Sequence, residues 1–228
     1  MRSNTQALLL ARLGAVLLRL SATDEYLLYV TSWMKWPLLV SGVALLGLGL
    51  GPILGAARAE GHDHDHGVPR VTWLLLLPGV VTFVVAPPQL GSFLAERRAG
   101  EAVQVARPDE VTELSTQRTI PLSVDEFLWR AQGADASMED QPVRLTGFVS
   151  HGAQGAWYVT RMAIGCCAAD AVAYRIEVRD AGPRPARDQW VSVTGIHVPG
   201  SGADGSKEEA AVVASSVEPT TSPSRPYR

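Results

Sequence analysis

The chain has 228 residues, 46% of them hydrophobic, and a formal net charge of -3. That small charge, with no long Lys/Arg run, argues against a nucleic-acid partner. Only two cysteines are present, Cys166 and Cys167, and their adjacency excludes a disulfide framework tying distant loops together.

The apolar residues are unevenly spread. The first ninety-odd residues are crowded with Leu, Val and Gly, whereas the chain after Glu96 has the mixed composition of a water-soluble domain. Residues 1–95 therefore read as a transmembrane helical region. A spanning helix needs about 20 apolar residues to cross about 30 Å of hydrocarbon, and residues 37–57 meet this without a charge. Their glycines, Gly42, Gly47, Gly49, Gly51 and Gly55, form notches that let a neighbouring helix approach, or simply mark a glycine-rich span. Residues 71–90 form the second strong span, with Trp73 near one interface, Pro78 as a kink and Pro87-Pro88 as terminator.

The segment 6–22 is leucine-rich but carries Arg12 and Arg19, which are costly at the bilayer centre. A cleaved signal peptide is the competing reading, weakened by those charges and by the lack of a small-residue cleavage site. Three spans are expected, two being the alternative, in a multi-pass protein of the cell membrane. Arg2, Arg12, Arg58 and Arg70 favour a cytoplasmic N-terminus and an extracytoplasmic C-terminal domain, against Lys35, Arg97 and Arg98 on the other side.

The loop at 61–67, Gly-His-Asp-His-Asp-His-Gly, holds three of the five histidines. In an extended chain His62, His64 and His66 project to one side and Asp63 and Asp65 to the other, an imidazole set suited to Zn, Ni or Cu. A solvated connector whose histidines merely titrate reads equally well. No cofactor beyond such a zinc-type transition metal is indicated.

Residues 96–120 are polar and aperiodic, as expected of a linker. A short helix follows, capped by Ser123, with Glu126 placed to return the bond. Five strands are then expected, at 142–149, 156–164, 174–178, 190–198 and 209–217. With Gly147 and Gly195 inside strands where a barrel must bend, the region 121–218 reads as an all-β, five-stranded OB-like barrel, with an open sheet or small sandwich as alternative. A disordered tail is expected over 219–228. The fold class is thus membrane α plus an all-β soluble domain.

Between the second and third expected strands stand Gly165-Cys166-Cys167-Ala168-Ala169-Asp170. Two thiolates and a carboxylate suit a soft or borderline cation, with His151 as a further candidate ligand. The adjacent thiols also suit a strained, reducible vicinal disulfide or buried packing, although neighbouring strand residues face opposite sides. Arg161 is placed to pair with Asp170.

The run Tyr158-Val159-Thr160-Arg161-Met162 leading into Cys166-Cys167-Ala168-Ala169-Asp170-Ala171, followed by Trp190-Val191-Ser192-Val193-Thr194-Gly195, resembles the YcgQ-like bacterial membrane permease subunits. The resemblance extends to the N-terminal hydrophobic helices, the histidine-bearing loop, and Leu77-Pro78 and Pro87-Pro88. It implies a partner, a larger multi-span membrane permease subunit, and a role in zinc-type metal homeostasis. It assigns no catalytic residue, and no enzymatic activity is expected. The other readings are a membrane-anchored thiol redox protein and a non-catalytic interaction module.

Overall fold

The computed structural model describes residues 3–55, 90–99, 104–108, 110–114, 119–133, 138, 140–206, 208–223 and 227. The histidine loop at 61–67 and the span expected at 71–90, except Leu90, lie outside the described residues. The chain forms two compact units, residues 1–89 and 90–228.

In the first unit α1 (Ser3–Ala22) and α2 (Lys35–Gly55) are joined by 3-10 turns at Asp24–Leu28 and Ser32–Met34. The two helices pack antiparallel through small residues. A Cβ on Gly49 would lie 2.6 Å from the Ala11 nitrogen and 2.7 Å from the Ala7 oxygen, and one on Gly14 would lie 2.7 Å from the Gly42 oxygen. Backbones this close require glycine, as in membrane helix pairs. The opposite side of α2 is different: Trp36, Val40, Val43 and Leu48 are exposed, and around Gly47 and Gly51 the space is open. Residues Ser32–Gly51, with mean hydropathy 1.4, are long and apolar enough to cross a membrane, and only this helix meets that condition among the described residues.

The second unit begins with α3 (Ser92–Arg97), followed by β1 (Ile120–Pro121), α4 (Val124–Gln132), β2 (Pro142–His151), β3 (Trp157–Ala163), β4 (Val172–Arg179), β5 (Trp190–His197) and β6 (Ala211–Pro219). The sheet is mixed and six-stranded, ordered β1-β2-β3-β4-β6-β5, and β2 pairs with β5 as well. The pairs β1–β2 and β4–β6 are parallel and the others antiparallel. The five expected strands are present. The sixth, β1, falls in the expected linker, too short to alternate.

That linker needs a second correction. Val105 is buried and its N–H donates to Gln132 Oε1 at 3.1 Å, Ile120 is buried in the same core, and Leu114 packs against it. Isolated apolar residues in irregular chain carry no period, so this packing leaves no sequence pattern. Further along, Ser123 caps α4, its hydroxyl accepting from the Glu126 N–H. The Glu126 carboxylate does not return the bond. It accepts from the Thr112 N–H at 2.7 Å, the Thr112 hydroxyl at 2.8 Å, and Arg130 Nε and Nη2 at 3.2 and 3.0 Å. Burial of both charges requires such pairing.

The main core lies under α4. Phe127 shares it with Val143, Leu145, Val149, Ile176 and Val193, and burying a Phe of this kind stabilises by roughly 1.5–3 kcal/mol. Residues 148–150 of β2 break the alternation because both faces of the strand are covered. Val149 faces the main core, and Phe148 joins Met162, Ile164, Ala171 and Ala95 of α3 in a second cluster. At Gly147 a Cβ would press on the Thr160 oxygen, and at Gly195 on that of Val213, beside a register shift in the β5–β6 pair. Both glycines thus allow close crossing of strands. Of the tail, Tyr227 packs against the second cluster and bridges Met162, and its hydroxyl accepts from the Leu90 N–H at 2.6 Å.

Candidate metal centre

The connection from β3 to β4 is anchored at both ends, because Ile164 and Ala171 are buried in the second cluster while the residues between them reach solvent. Gly165 leaves β3, and residues Ala168–Asp170 make one 3-10 turn. Asp170 folds back over this loop. Its Oδ1 accepts from the Gly165 N–H at 3.0 Å and the Cys167 N–H at 3.4 Å, and its Oδ2 from the Cys166 N–H at 2.7 Å. In return the Asp170 N–H donates to Cys167 Sγ. A Cβ at position 165 would lie 3.1 Å from the carboxylate, tight enough to displace it.

One ligand atom from each of Cys166, Cys167 and Asp170 lies within 4.8 Å of the other two. Two sulfurs bound tetrahedrally to one zinc at about 2.3 Å stand about 3.8 Å apart, so the group fits a single ion with little adjustment. Both cysteines are free thiols, Cys166 exposed and Cys167 half-buried. Donating to Asp170, the Cys166 thiol is pushed up to about 11, with Cys167 and modest desolvation adding to the effect. The same bond, with the three backbone N–H groups, holds Asp170 below the usual carboxylate range.

Cys166, Cys167 and Asp170 are therefore brought together, but His151 is not part of the group. It ends β2, with Nε2 2.9 Å from the Pro185 oxygen and its N–H donating to Glu96. Of the other sequence-derived ligands, His62, His64 and His66 lie outside the described residues. Arg161 stacks over Trp190 at 5.2 Å, while Asp170 draws its hydrogen bonds from the loop itself. Sequence reasoning missed Arg98, whose Nη2 donates to the Ala169 oxygen at 3.1 Å. Nothing local marks a contact made across 71 residues.

The second unit is thus a mixed-sheet domain presenting an exposed thiol–carboxylate group, on a chain with an apolar N-terminal helix. Residues 101–228 match the DUF1980 C-terminal domain, more than half of the chain, and the protein belongs to that family. No curated protein and no solved structure matches it.

Proposed function

We propose that the protein is a membrane-anchored accessory subunit of a multi-span permease, and that its soluble domain hands a zinc-type ion or metalloid to or from that partner. The observation that carries this reading is the convergence of Cys166, Cys167 and Asp170 within 4.8 Å on a loop ordered by its own backbone. Two thiolates and one carboxylate fall short of the four ligands of a closed structural zinc site. Such a site is open on one side, which suits capture and release, and its remaining positions would go to water or a partner ligand. A bound cation inverts the local proton affinity and deprotonates a coordinating thiol.

An OB-like barrel is the finer reading of the domain, supported by the return of the pairing order from β5 to β2 and by the glycines at strand crossings. Two or three spans in the cell membrane, with the domain extracytoplasmic, remain part of the proposal. They are supported by the apolar α2, the exposed Trp33 just before it and Trp36 in its first turn, and the charge-free sequence at 71–90. A thiol–disulfide role is less well supported, because no Cys-x-x-Cys motif accompanies the two thiols.

Zinc titrated calorimetrically into the reduced full chain should bind reversibly, and the Cys166→Ser, Cys167→Ser double variant should not bind at that loop. A deletion strain should differ from wild type in metal accumulation under zinc limitation, zinc excess or metalloid stress, and only the wild-type gene should restore it. Equal binding by the double variant would remove the loop as the site. Unchanged accumulation in every condition would remove the transport role.

A further inference from the structure

α3 shows its inner and outer sides clearly. Ser92 and Ala95 are buried, and the helix is tied to the domain at both ends. The Ser92 N–H and hydroxyl both donate to Asp188, at 2.6 and 3.0 Å, and Glu96 accepts from Arg187 Nε and the His151 N–H, each at 2.9 Å. Both acids at α3 thereby have partners within the domain. Outward stand Phe93, 72% exposed, and Arg97, whose guanidinium lies 5.5 Å over the Phe93 ring. Arg98 beside them holds the Ala169 carbonyl of the metal loop.

An exposed Phe stacked with an Arg is well placed at a bilayer interface, where an apolar ring and a cationic tip are both solvated. The sequence supplies the proximity. The charge-free run at 71–90 ends at Leu90, three residues before Phe93. Three residues reach at most about 11 Å, and the headgroup layer beyond the hydrocarbon is about 5–7 Å thick on each side.

We infer that α3 docks the soluble domain on the lipid surface, Phe93 entering the headgroup–acyl boundary and Arg97 meeting lipid phosphates, so that the Cys166–Cys167–Asp170 loop opens beside the membrane. The inference rests on the reading of 71–90 as a span. It places the metal loop where an ion passes to a membrane partner without crossing bulk water.

The test uses the full chain in nanodiscs containing anionic lipid, in a Cys166→Ser, Cys167→Ser background, with a spin label at Phe93→Cys, at Val80→Cys or at Ser216→Cys on β6. Collision with oxygen, which concentrates in lipid, is compared with collision with a water-soluble nickel chelate. The oxygen-to-nickel ratio at 93 should be several-fold higher than at 216, and lower than at 80. A label at 93 as open to nickel as that at 216, with 80 still in lipid, overturns the docking alone. Shielding of 93 from both agents overturns it in favour of a protein contact. Exposure of 80 to nickel overturns the spanning reading and the docking together.

Discussion

Replacing Asp170 by Asn should make Cys166 more reactive, although the variant removes a neighbouring charge without touching the cysteine. In the metal-free protein the thiol is pushed up to about 11, against an ordinary 9.0, chiefly by its bond to Asp170. At pH 7 it therefore carries about one hundredth of the thiolate of an ordinary cysteine. Releasing it would raise the thiolate fraction by at most about hundredfold, because Cys167 and desolvation supply part of the shift. A less basic thiolate is also a weaker nucleophile, by about tenfold over this range, so the alkylation rate at neutral pH should rise by at most about tenfold. The assay is iodoacetamide labelling of the reduced, metal-free protein, with each cysteine resolved by mass spectrometry across a pH series. The wild-type midpoint for Cys166 should lie near 11 and move toward 9.0 in the variant. A wild-type midpoint at or below 9.0, or an unchanged rate in the variant, would refute the thiol–carboxylate coupling.

Glu126→Ala takes the carboxylate from a buried guanidinium, which keeps the Thr112 carbonyl, and leaves the Thr112 N–H without its acceptor, so chemical denaturation should show a loss of about 3–5 kcal/mol. Arg130→Met should cost less, because the carboxylate keeps both Thr112 donors. Gly49→Leu drives a side chain into the α1 backbone and should lower the melting temperature in detergent, whereas Gly47→Leu, with open space around it, should not. Burial pushes the Glu96 carboxyl up, but its bonds from Arg187 and the His151 N–H outweigh that and hold it below 4.5. Its contribution is therefore complete above the unfolded value and lost as pH falls through the lower folded one. Hydrogen exchange at the His151 amide should rise in that acid range, and Glu96→Gln should largely abolish the dependence.

Elements whose signal is local were legible in the sequence. Strands β2 to β6 announced themselves by β-branched and aromatic runs, and α4 by the Ser123 cap. Glu126 was misassigned because it stands both three residues after Ser123, as in a capping box, and four before Arg130, as in an ion pair, and only the folded position of Thr112 separates the two. The short elements α3 and β1 span less than two turns of helix and two residues of strand, too little for any period to show. At the Cys166–Asp170 loop the residue types and spacing were readable. The clasp of three backbone N–H groups around Asp170 was not, since it depends on loop dihedrals. His151 illustrates the converse: a ligand type close by in sequence is set by the strand register opposite Trp157, with its ring nitrogen on the Pro185 carbonyl.

The bridge between Tyr227 and Met162 bears on how the domain behaves when it is concentrated. Strand β2 pairs with β3 only as far as Thr160, which leaves Arg161–Ala163 without a β2 partner. Exposed strand edges recruit other chains. Tyr227 covers part of that stretch beside Met162 and packs on the apolar cluster beneath it. A chain cut after Ser222 should therefore self-associate, by light scattering, at concentrations where the intact protein stays dispersed.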